Sequence, residues 1–525
     1  MTLGPRSHRR TFLVRGGALV AASACGLSSA RATTWSVRDR PQLTHGISIG
    51  DVVADRALVW ARTDRPSRLQ VEWDTSPGFT APRRVQGELA VPSHDFTARL
   101  ELCDLPADRE IFLRVAFESL ESSRVQSEPV LGSFRAAPER RDNVRVVWSG
   151  DTAGQGYGIN PDIGGMRAYE SMRARRPDLF IHCGDTIYAD GPLPHEVVVE
   201  DGKRWRNVVT PEKSKVAETL HEFRGNFRYN LLDDNVKRFN AEVPQLWLWD
   251  DHEVCNNWSS SKDLSTTPAY VEKNIALLSA RARRAFLEYA PTKLFAGVNA
   301  GRVYRRVPYG PLLDVFTLDM RAYRGPNTHN LQAAKGPDTD FLGRSQLQWL
   351  KHSLKTSDAT WKLIAADMPL GLIVPDNRDR ENRLRFDGIS NSAGPARGRE
   401  LELAELLRFI KREKIRNVVW VTADVHYTAA HYYDPAHASF TDFAPFWEFV
   451  SGPLNAGVFG PNEPDPTFGL QVVYQKTPPR MNYSPLSDYQ FFGEINVGGR
   501  DKTLTVALRD VPGNKLFERV LAPET

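Results

Sequence analysis

Cysteine is scarce in this sequence, with four residues among 525. Cys25 lies in an N-terminal segment predicted to be removed, which leaves Cys103, Cys183 and Cys255. An odd number cannot be fully paired, and a chain of this size does not depend on disulfides, so a disulfide-rich scaffold is excluded. We expect all three to be buried small apolar side chains, with a bridge between Cys183 and Cys255 as the alternative.

The composition and motifs typical of several other protein classes are also absent. With 25% charged and 41% hydrophobic residues, the composition excludes a disordered chain, a collagen-like chain and a multi-span membrane protein. The net charge is only +4, and residues 1–32 hold five arginines and no acid, so nucleic acid is not expected as a partner. H-E-x-x-H is not present. The glycine-rich loop 154–158 lacks the Lys-Ser/Thr of a P-loop, and we expect it to let a ligand approach the backbone.

The N-terminal segment, residues 1–32, has the three parts of an export signal. A basic region with Arg9-Arg10 precedes an apolar run at 17–24 and a small-residue cleavage site ending at Ala32. The apolar run is too short to span a bilayer, and the paired arginines followed by Thr-Phe-Leu resemble a bacterial twin-arginine signal. We therefore expect cleavage after Ala32, the twin-arginine translocase as a partner, a periplasmic or extracellular location and no stable membrane insertion.

Two patterns divide the remaining chain. Residues 41–138 contain short alternating or apolar runs between turn residues, which predicts a small antiparallel β-sandwich of the Ig/fibronectin-like kind. Its strands are predicted at 57–62, 68–73, 95–102, 111–117 and 130–134. From residue 143 to 525, apolar runs alternate with helical segments, which indicates an α/β sheet. Helices are predicted at 267–290, 343–356 and 397–414. Long irregular insertions are predicted at 190–215 and 325–342, where they would shape a pocket mouth.

Each of six apolar runs in the second part is followed by at least one aspartate. These are Asp151, Asp185, Asp250 with Asp251, Asp319, Asp367 and Asp424. Because the carboxyl ends of the strands line the ligand crevice of an α/β sheet, these carboxylates are expected to converge. Such a group repels itself unless cations neutralise it, so the pattern predicts a site for several metal ions. Asp319 and Asp367 are the two for which a role as helix cap or loop former is preferred.

Four motifs stand near these run ends: Gly-Asp-Thr-Ile-Tyr-Ala-Asp at 184–190, Asp-Asp-His-Glu-Val-Cys-Asn-Asn-Trp at 250–258, Asp-x-Arg-x-Tyr-Arg at 319–324 and Ala-Asp-Val-His-Tyr at 423–427. Together they resemble the PhoD-type alkaline phosphatases, which belong to the calcineurin-like metallophosphoesterases. Segments 45–51 and 446–457 are also similar to this family. The resemblance implies an αββα-sandwich metallophosphoesterase core at 143–525, preceded by the β-sandwich domain.

The resemblance also implies a centre of two or more metal ions. The implied ligands are Asp185, bridging two ions; Asp151 and His426 for one ion; and Asp424 with either Asp251 or Asn257 for the other. Tyr188 follows a Gly-Asp-x-x-Tyr pattern in which the phenolate binds ferric iron in related enzymes. Family members described with Ca²⁺ and Fe³⁺ carry a cysteine ligand where this chain has Gly150, which indicates a divergent branch. The resemblance implies Ca²⁺ and Fe³⁺. Because the cysteine ligand is absent, Mn²⁺ or Zn²⁺ are the alternatives.

The implied reaction is hydrolysis of a phosphate monoester by a hydroxide that bridges the metals. His252 would protonate the leaving group, or alternatively orient a metal ligand. Arg321 and Arg324 would bind phosphate oxygens, or alternatively pair with buried acids. The same chemistry also serves a phosphodiesterase or phospholipase D. A non-catalytic envelope-binding protein is the remaining alternative, against which the complete set of acidic and histidine residues argues.

Overall fold

The first part of the chain folds into two antiparallel sheets. The structure, a computed structural model, describes residues 40–524. Its first strands are β1 (Leu43–Val53), β2 (Arg56–Thr63), β3 (Ser67–Asp74), β4 (Arg83–Ala90), β5 (Thr97–Leu102), β6 (Glu110–Ser119) and β7 (Val130–Arg135). Strands β4-β3-β6-β7 form one sheet, and β1, β2 and β5 are neighbours in the other. This confirms the predicted small antiparallel sandwich.

Alternating side chains explain why most of these strands could be predicted. In β3, Leu69, Val71 and Trp73 are buried and alternate with polar residues that are partly exposed. Strand β4 lies at the edge of its sheet and keeps most of its residues exposed, so it carries little apolar pattern. For this reason β4 was not among the strands predicted from the sequence. Strand β1 was not among them either.

The second part alternates strands and helices. Up to residue 289 the elements are β8 (Val144–Ser149), α1 (Arg167–Arg173), β9 (Leu179–Cys183), β10 (Glu196–Val198), β11 (Arg204–Arg206), α2 (Leu220–Asn230), α3 (Asp234–Glu242), β12 (Gln245–Leu248) and α4 (Ile275–Tyr289). Beyond it they are β13 (Arg305–Tyr309), β14 (Leu313–Thr317), α5 (Gly343–Lys355), β15 (Trp361–Ala365), β16 (Pro375–Arg378), β17 (Leu384–Phe386), α6 (Glu400–Arg412), β18 (Val418–Thr422), β19 (Thr428–Tyr433), β20 (Phe446–Val450), β21 (Leu470–Lys476), β22 (Phe491–Val497), β23 (Leu504–Asp510) and β24 (Lys515–Leu521).

Local signals set the ends of the helices. Helix α4 begins at residue 275, later than the predicted 267, because the Asn274 side chain accepts the backbone N–H of Leu277 and caps the first turn. Helices α5 and α6 lie within the predicted segments. Helix α2 begins with a capping box between Thr219 and Glu222, a signal that the sequence prediction did not use.

Two large sheets pack face to face between layers of helices. One runs β24-β23-β22-β8-β9-β12-β1-β2-β5 and the other β13-β14-β15-β18-β20-β19-β21. Their inner faces share one apolar core, in which Ile181 of β9 and Val315 of β14 are both fully buried. Helices α1–α4 supply buried residues to the cluster on the outer side of the first sheet, and α5 and α6 to that of the second. The fold is therefore the predicted αββα sandwich.

The sandwich and the αββα core share a sheet. Strand β1 pairs in parallel with β12 through one register position, Gly50 opposite Gln245. A domain boundary between residues 138 and 143 stays a prediction, and the predicted signal at 1–32 lies outside the described residues. Insertion 190–215 carries the small hairpin β10–β11, and 325–342 contains no strand or α-helix in the described structure. None of the six helices described has the length and apolarity that a bilayer crossing needs.

The cysteines are all unpaired within residues 40–524. Cys183 and Cys255 are buried, as expected for small apolar side chains, and no bridge joins them. The expectation is wrong for Cys103, which is exposed. It follows β5 directly, where the chain leaves the sheet for a turn.

Candidate metal centre

The carboxyl ends of strands from both sheets meet at one place. Strands β8, β9 and β12 are parallel neighbours in one sheet, and β14, β15 and β18 in the other. The aspartates that follow these strands are Asp151, Asp185, Asp250 with Asp251, Asp319, Asp367 and Asp424. Asp151 and Asp185 of the first sheet lie beside His426, which follows β18 of the second sheet. Side chains from both sheets thus line one site.

Sharp backbone turns direct these side chains into the site. The predicted ligands in left-handed conformation, with φ between 51° and 65°, are Asp151, Asp185, Asn257, Asp424 and His426. Asp, Asn and His adopt this region more readily than other residues with a Cβ, although it still costs free energy. Such conformations concentrate at functional sites, where the surrounding fold holds them in place.

Three groups of donor atoms could each hold a cation. Each contains three residues whose donor atoms lie within 4.8 Å of one another. The groups are Asp151, Asp185 and His426; Asp185, Asp251 and His252; and Asp250, Asp251 and Asp424. Asp185 belongs to the first two groups, so it stands where a ligand that bridges two ions would stand. Asp251 likewise joins the second and third groups.

Asp151 lacks the partners that a buried acid normally has. Asp151 is fully buried, and neither of its oxygens accepts a hydrogen bond from the described residues. Burial, and then the charge of Asp424, raises the pKa of Asp151 well above its usual range. Burial and the neighbouring Asp250 do the same to the pKa of Asp185. A buried carboxylate with two unpartnered oxygens fits a cation ligand, because ionisation there is otherwise very costly.

His426 and Tyr188 present their polar atoms to the same place. Nδ1 of His426 donates to the carbonyl of Gly457, which fixes the tautomer and leaves Nε2 without a proton, the form that can bind a metal. Burial lowers the pKa of His426 to about 3, so the imidazole is neutral, as metal ligation requires. The Tyr188 hydroxyl lies 2.9 Å from this Nε2. Both atoms are therefore placed to reach one ion together with Asp151.

His252 forms a pair with Asp190. Its Nδ1–H donates to Oδ1 of Asp190 at 2.7 Å, and the second oxygen of Asp190 accepts the backbone N–H of Asn256. Burial alone would lower the pKa of His252, but the charges of Asp190 and Asp251 outweigh it and raise the pKa to about 10. The ring also packs on the Tyr188 ring, with centroids 4.3 Å apart. Position, tautomer and charge of His252 are thus all set by neighbouring groups.

Asp251 and Asn257, which the sequence offered as alternatives, are in contact. The backbone N–H of Asn257 donates to Oδ2 of Asp251, and its side-chain amide N–H donates to Oδ1 of Asp376 at 2.8 Å. Within residues 40–524, Oδ1 of Asn257 accepts no hydrogen bond. The structure therefore places a carboxylate and an available amide oxygen side by side.

Arg321 and Arg324 are buried beneath the carboxylates. The Arg321 guanidinium donates to Asp250 at 2.5 Å and to Asp387 at 2.8 Å, and its Nη2 lies 3.8 Å from one oxygen each of Asp251 and Asp424. Arg324 lies 3.2 Å from Asp387. Both arginines are at most 3% exposed. These contacts favour pairing with buried acids, the second of the two roles predicted for them, over direct binding of a phosphate.

Two other sequence expectations concern residues outside the cluster. Asp319 accepts the backbone N–H groups of Arg321 and Ala322 and the indole N–H of Trp249, so it shapes the loop after β14 as preferred for it. The expectation that the glycine-rich loop 154–158 lets a ligand approach the backbone stays a prediction. A Cβ at Gly154 would lie 2.5 Å from the Tyr188 ring, so this glycine makes room for a side chain of the protein.

Several residues that matter to the site were missed from the sequence. Asp190 belongs to the 184–190 motif, but the sequence pattern assigned it no role. Its partner His252 lies 62 positions further along the chain. Asp376 and Asp387 come from the segment around β16 and β17, which carries no strand-end pattern. Asn327 joins them: its amide N–H group donates to both carboxylates. Only the Asp-x-x-x-x-Asp spacing in the 184–190 motif offered a signal, and that signal is weak.

An αββα sandwich with this donor cluster at its strand ends defines the metallophosphoesterase class. The sequence profile of the PhoD-like phosphatases matches residues 146–508, and that of the PhoD-like phosphatase N-terminal domain matches residues 28–138. The chain therefore belongs to the PhoD-like phosphatase family and is a phosphoric ester hydrolase. It is 27% identical over 446 residues to alkaline phosphatase D of Bacillus subtilis (strain 168), which covers 80% of this chain and 71% of that protein.

Solved structures support the fold. A structure of PhoD superposes with a TM-score of 0.66 at 20% identity, covering 92% of this chain and 93% of the other. A purple acid phosphatase from yellow lupin (Lupinus luteus) seeds superposes with a TM-score of 0.57 at 12% identity, covering 92% of this chain and 74% of the other. At these identities the likeness concerns the fold alone.

Proposed function

We propose that this chain is an exported, metal-dependent alkaline phosphatase that hydrolyses phosphate monoesters. The observation that carries the metal dependence is Asp151, which is fully buried with both carboxylate oxygens unpartnered beside Asp185 and His426. Membership of the PhoD-like phosphatases supports the choice of phosphate ester as substrate. The 27% identity to an alkaline phosphatase supports monoesters over other esters.

The residues present fit two metal ions. One would be held by Asp151, Asp185, Tyr188 and His426, and the other by Asp185, Asp251, Asn257 and Asp424. Ions bound there supply an activated water and polarise the phosphoryl group. The donor set is rich in oxygen, which favours hard cations. We propose Ca²⁺ and Fe³⁺ as the two ions, a choice that the phenol of Tyr188 supports. Mn²⁺ or Zn²⁺ are the alternatives.

His252 has the contacts of a general acid. Asp190 accepts the proton on Nδ1, so the proton on Nε2 is the one available to a leaving alkoxide. The ring of Tyr188, packed against the imidazole at an angle of 33°, restricts its rotation. Arg321 and Arg324 would act indirectly. They balance the charge of Asp250 and Asp387 and so hold the neighbouring carboxylates in position.

Export is proposed on the pattern of residues 1–32. The paired Arg9-Arg10, the short apolar run and the site at Ala32 support recognition by the twin-arginine translocase and release into the periplasm or medium. The test is cell fractionation of the full-length chain and of the Arg9→Lys/Arg10→Lys variant. Export of the original and retention of the variant are expected, and equal export of both would contradict the proposal.

The substrate class is tested by assaying the purified protein on p-nitrophenyl phosphate and bis-p-nitrophenyl phosphate side by side. Monoester hydrolysis is expected to have the higher kcat/KM. A higher kcat/KM on the diester would overturn the monoester proposal and favour a phosphodiesterase or phospholipase D. The same metal centre serves either reaction, so the hydrolase class does not depend on this outcome.

A further inference from the structure

The hairpin formed by β16 and β17 places a carboxylate against Asn257, a predicted metal ligand, from outside the strand ends. Asp376 lies on β16, in a segment that follows the cluster residue Asp367 after a short loop. It is partly buried, whereas the neighbouring hairpin residues 377 and 378 are exposed. Its side chain therefore points away from the exposed face of the hairpin, toward Asn257 and Asn327.

Asp376 joins two amide side chains. Its Oδ1 accepts the amide N–H of Asn257 at 2.8 Å, and its Oδ2 accepts that of Asn327 at 3.1 Å. Asn327 is itself held by Arg324 and Arg399, which both donate to its Oδ1 at 2.9 Å. Because a carboxylate can only accept and a guanidinium can only donate, these contacts decide which way each amide faces.

The consequence for Asn257 is an orientation. An amide offers one metal donor, its oxygen, and the opposite rotamer would present the NH₂ group to the cations. With the nitrogen bound to Asp376, the oxygen is the atom left available to the centre. The backbone of Asn257 is fixed next to the carboxylate of Asp251, so its position is fixed along with its direction.

We propose that Asp376 is a positioning residue for Asn257, holding the amide so that its Oδ1 faces the second metal ion of the proposed centre. This rests on the proposed function. It assigns a role in metal binding to the β16–β17 hairpin, which neither the six strand ends nor the four sequence motifs contain. Residues that orient metal ligands in this way typically change metal affinity about 10–100-fold when removed.

The test is titration of the metal-free full chain with Mn²⁺, with free Mn²⁺ followed by electron paramagnetic resonance. The wild type is expected to bind two ions. Asp376→Ala is expected to keep the affinity of one site and weaken the other about 10–100-fold. Equal affinities at both sites for wild type and variant would overturn the proposal.

Two further variants separate orientation from other effects. Asp379→Ala removes a carboxylate that bonds only within the same hairpin, so it should bind both ions as the wild type does. Asp376→Asn keeps an oxygen that accepts the Asn257 N–H and is expected to retain affinity within about threefold. A loss in Asp376→Asn as large as in Asp376→Ala, or in Asp379→Ala, would contradict the orienting role.

Where Asp376→Ala does not fold, Asp376→Ser takes its place. Its hydroxyl is too short to reach Asn257, so the same selective loss at one site is expected. Failure of the two proposals can be told apart. A wild type that binds fewer than two Mn²⁺ overturns the two-ion centre and this inference with it, whereas a wild type with two sites and an unaffected Asp376 variant overturns this inference alone.

Discussion

Nδ1 of His252 donates to the Asp190 carboxylate at 2.7 Å, and that carboxylate is itself held by the backbone N–H of Asn256. The pair is partly buried next to Asp185, whose Oδ1 accepts the backbone N–H of His252 at 3.1 Å. One ring nitrogen of His252 is therefore committed to Asp190. The other is left for a reacting group, which is the arrangement that a general acid needs.

Replacing His252 should discriminate between leaving groups. His252→Ala removes the proton donor, so kcat for an alkyl phosphate is expected to fall by about 10²–10⁴-fold. An alkoxide needs that proton, whereas p-nitrophenolate leaves without it, so p-nitrophenyl phosphate should lose less than about tenfold. Steady-state kinetics on both substrates measure the difference. Equal losses on the two substrates would remove the general-acid role.

Replacing Asp190 should reproduce this pattern more weakly. Asp190→Asn removes the charge that fixes the His252 tautomer, and we expect kcat for an alkyl phosphate to fall about 10–100-fold. The bound metal, measured by mass spectrometry, should stay at the wild-type level, because Asp190 belongs to none of the three donor groups. A loss of metal in Asp190→Asn would show that the residue acts through the centre instead of through His252.

The buried Arg321 should contribute more to the stability of the fold than to substrate binding. Arg321→Met leaves Asp250 buried without its counter-charge and removes one of the counter-charges of Asp387, which typically costs about 3–5 kcal/mol in the free energy of unfolding. Urea unfolding monitored by circular dichroism measures this. Arg383→Met is the control, since Arg383 is exposed and pairs only within its hairpin, and it should unfold at the wild-type urea concentration. An equally stable Arg321→Met protein would contradict the charge-balancing role.

The ion pairs of Glu494 should make stability depend on acid. Burial raises the pKa of Glu494, but hydrogen bonds from Arg175 and Asn496 and the charge of Arg509 outweigh this and lower the pKa to about 2. Because its pKa is lowered in the folded protein, the ionised Glu494 stabilises the fold at pH values above 4.5, the usual pKa of a glutamate. This contribution is lost as the pH falls toward 2. After allowance for solvent screening, the contribution is about 2 kcal/mol at neutral pH.

This pH dependence can be isolated with Glu494→Gln, which cannot ionise. Melting temperatures of wild type and variant should differ most at pH 7 and converge as the pH falls from about 4.5 to 2. Thermal unfolding at a series of pH values provides the measurement. A difference that stays constant over this range would mean that Glu494 stabilises the fold by packing alone.

The strand-end aspartates could be predicted because each lies close in the sequence to the apolar run that precedes it. Asp151, Asp185 and Asp424 each follow an apolar run within three residues, so the sheet class alone brings them together. Helices α5 and α6 were predictable for a similar reason, since each is long enough to show an apolar face. Helices α1 and α3 have 7 and 9 residues, which is too short for that periodicity to be visible.

The remaining parts of the site depend on contacts between distant positions. Asp376 bonds to Asn257 across 119 positions and Asp387 to Arg321 across 66, and no local pattern marks either pair. For the same reason, the sequence could not decide between substrate binding and acid pairing for Arg321. Burial of Arg321 against Asp250 and Asp387 favours acid pairing, and it emerges only when β12, β14 and the segment around β17 are packed together.

The most direct test of the account is the metal content of the purified chain, measured by mass spectrometry together with turnover of p-nitrophenyl phosphate. Wild type and Asp185→Asn are compared, because Asp185 is shared by two of the donor groups. We predict two or more metal ions per wild-type chain, and for Asp185→Asn a lower metal content and no turnover. An Asp185→Asn protein with unchanged metal content and unchanged activity would contradict the central claim that these strand-end carboxylates form a catalytic metal centre.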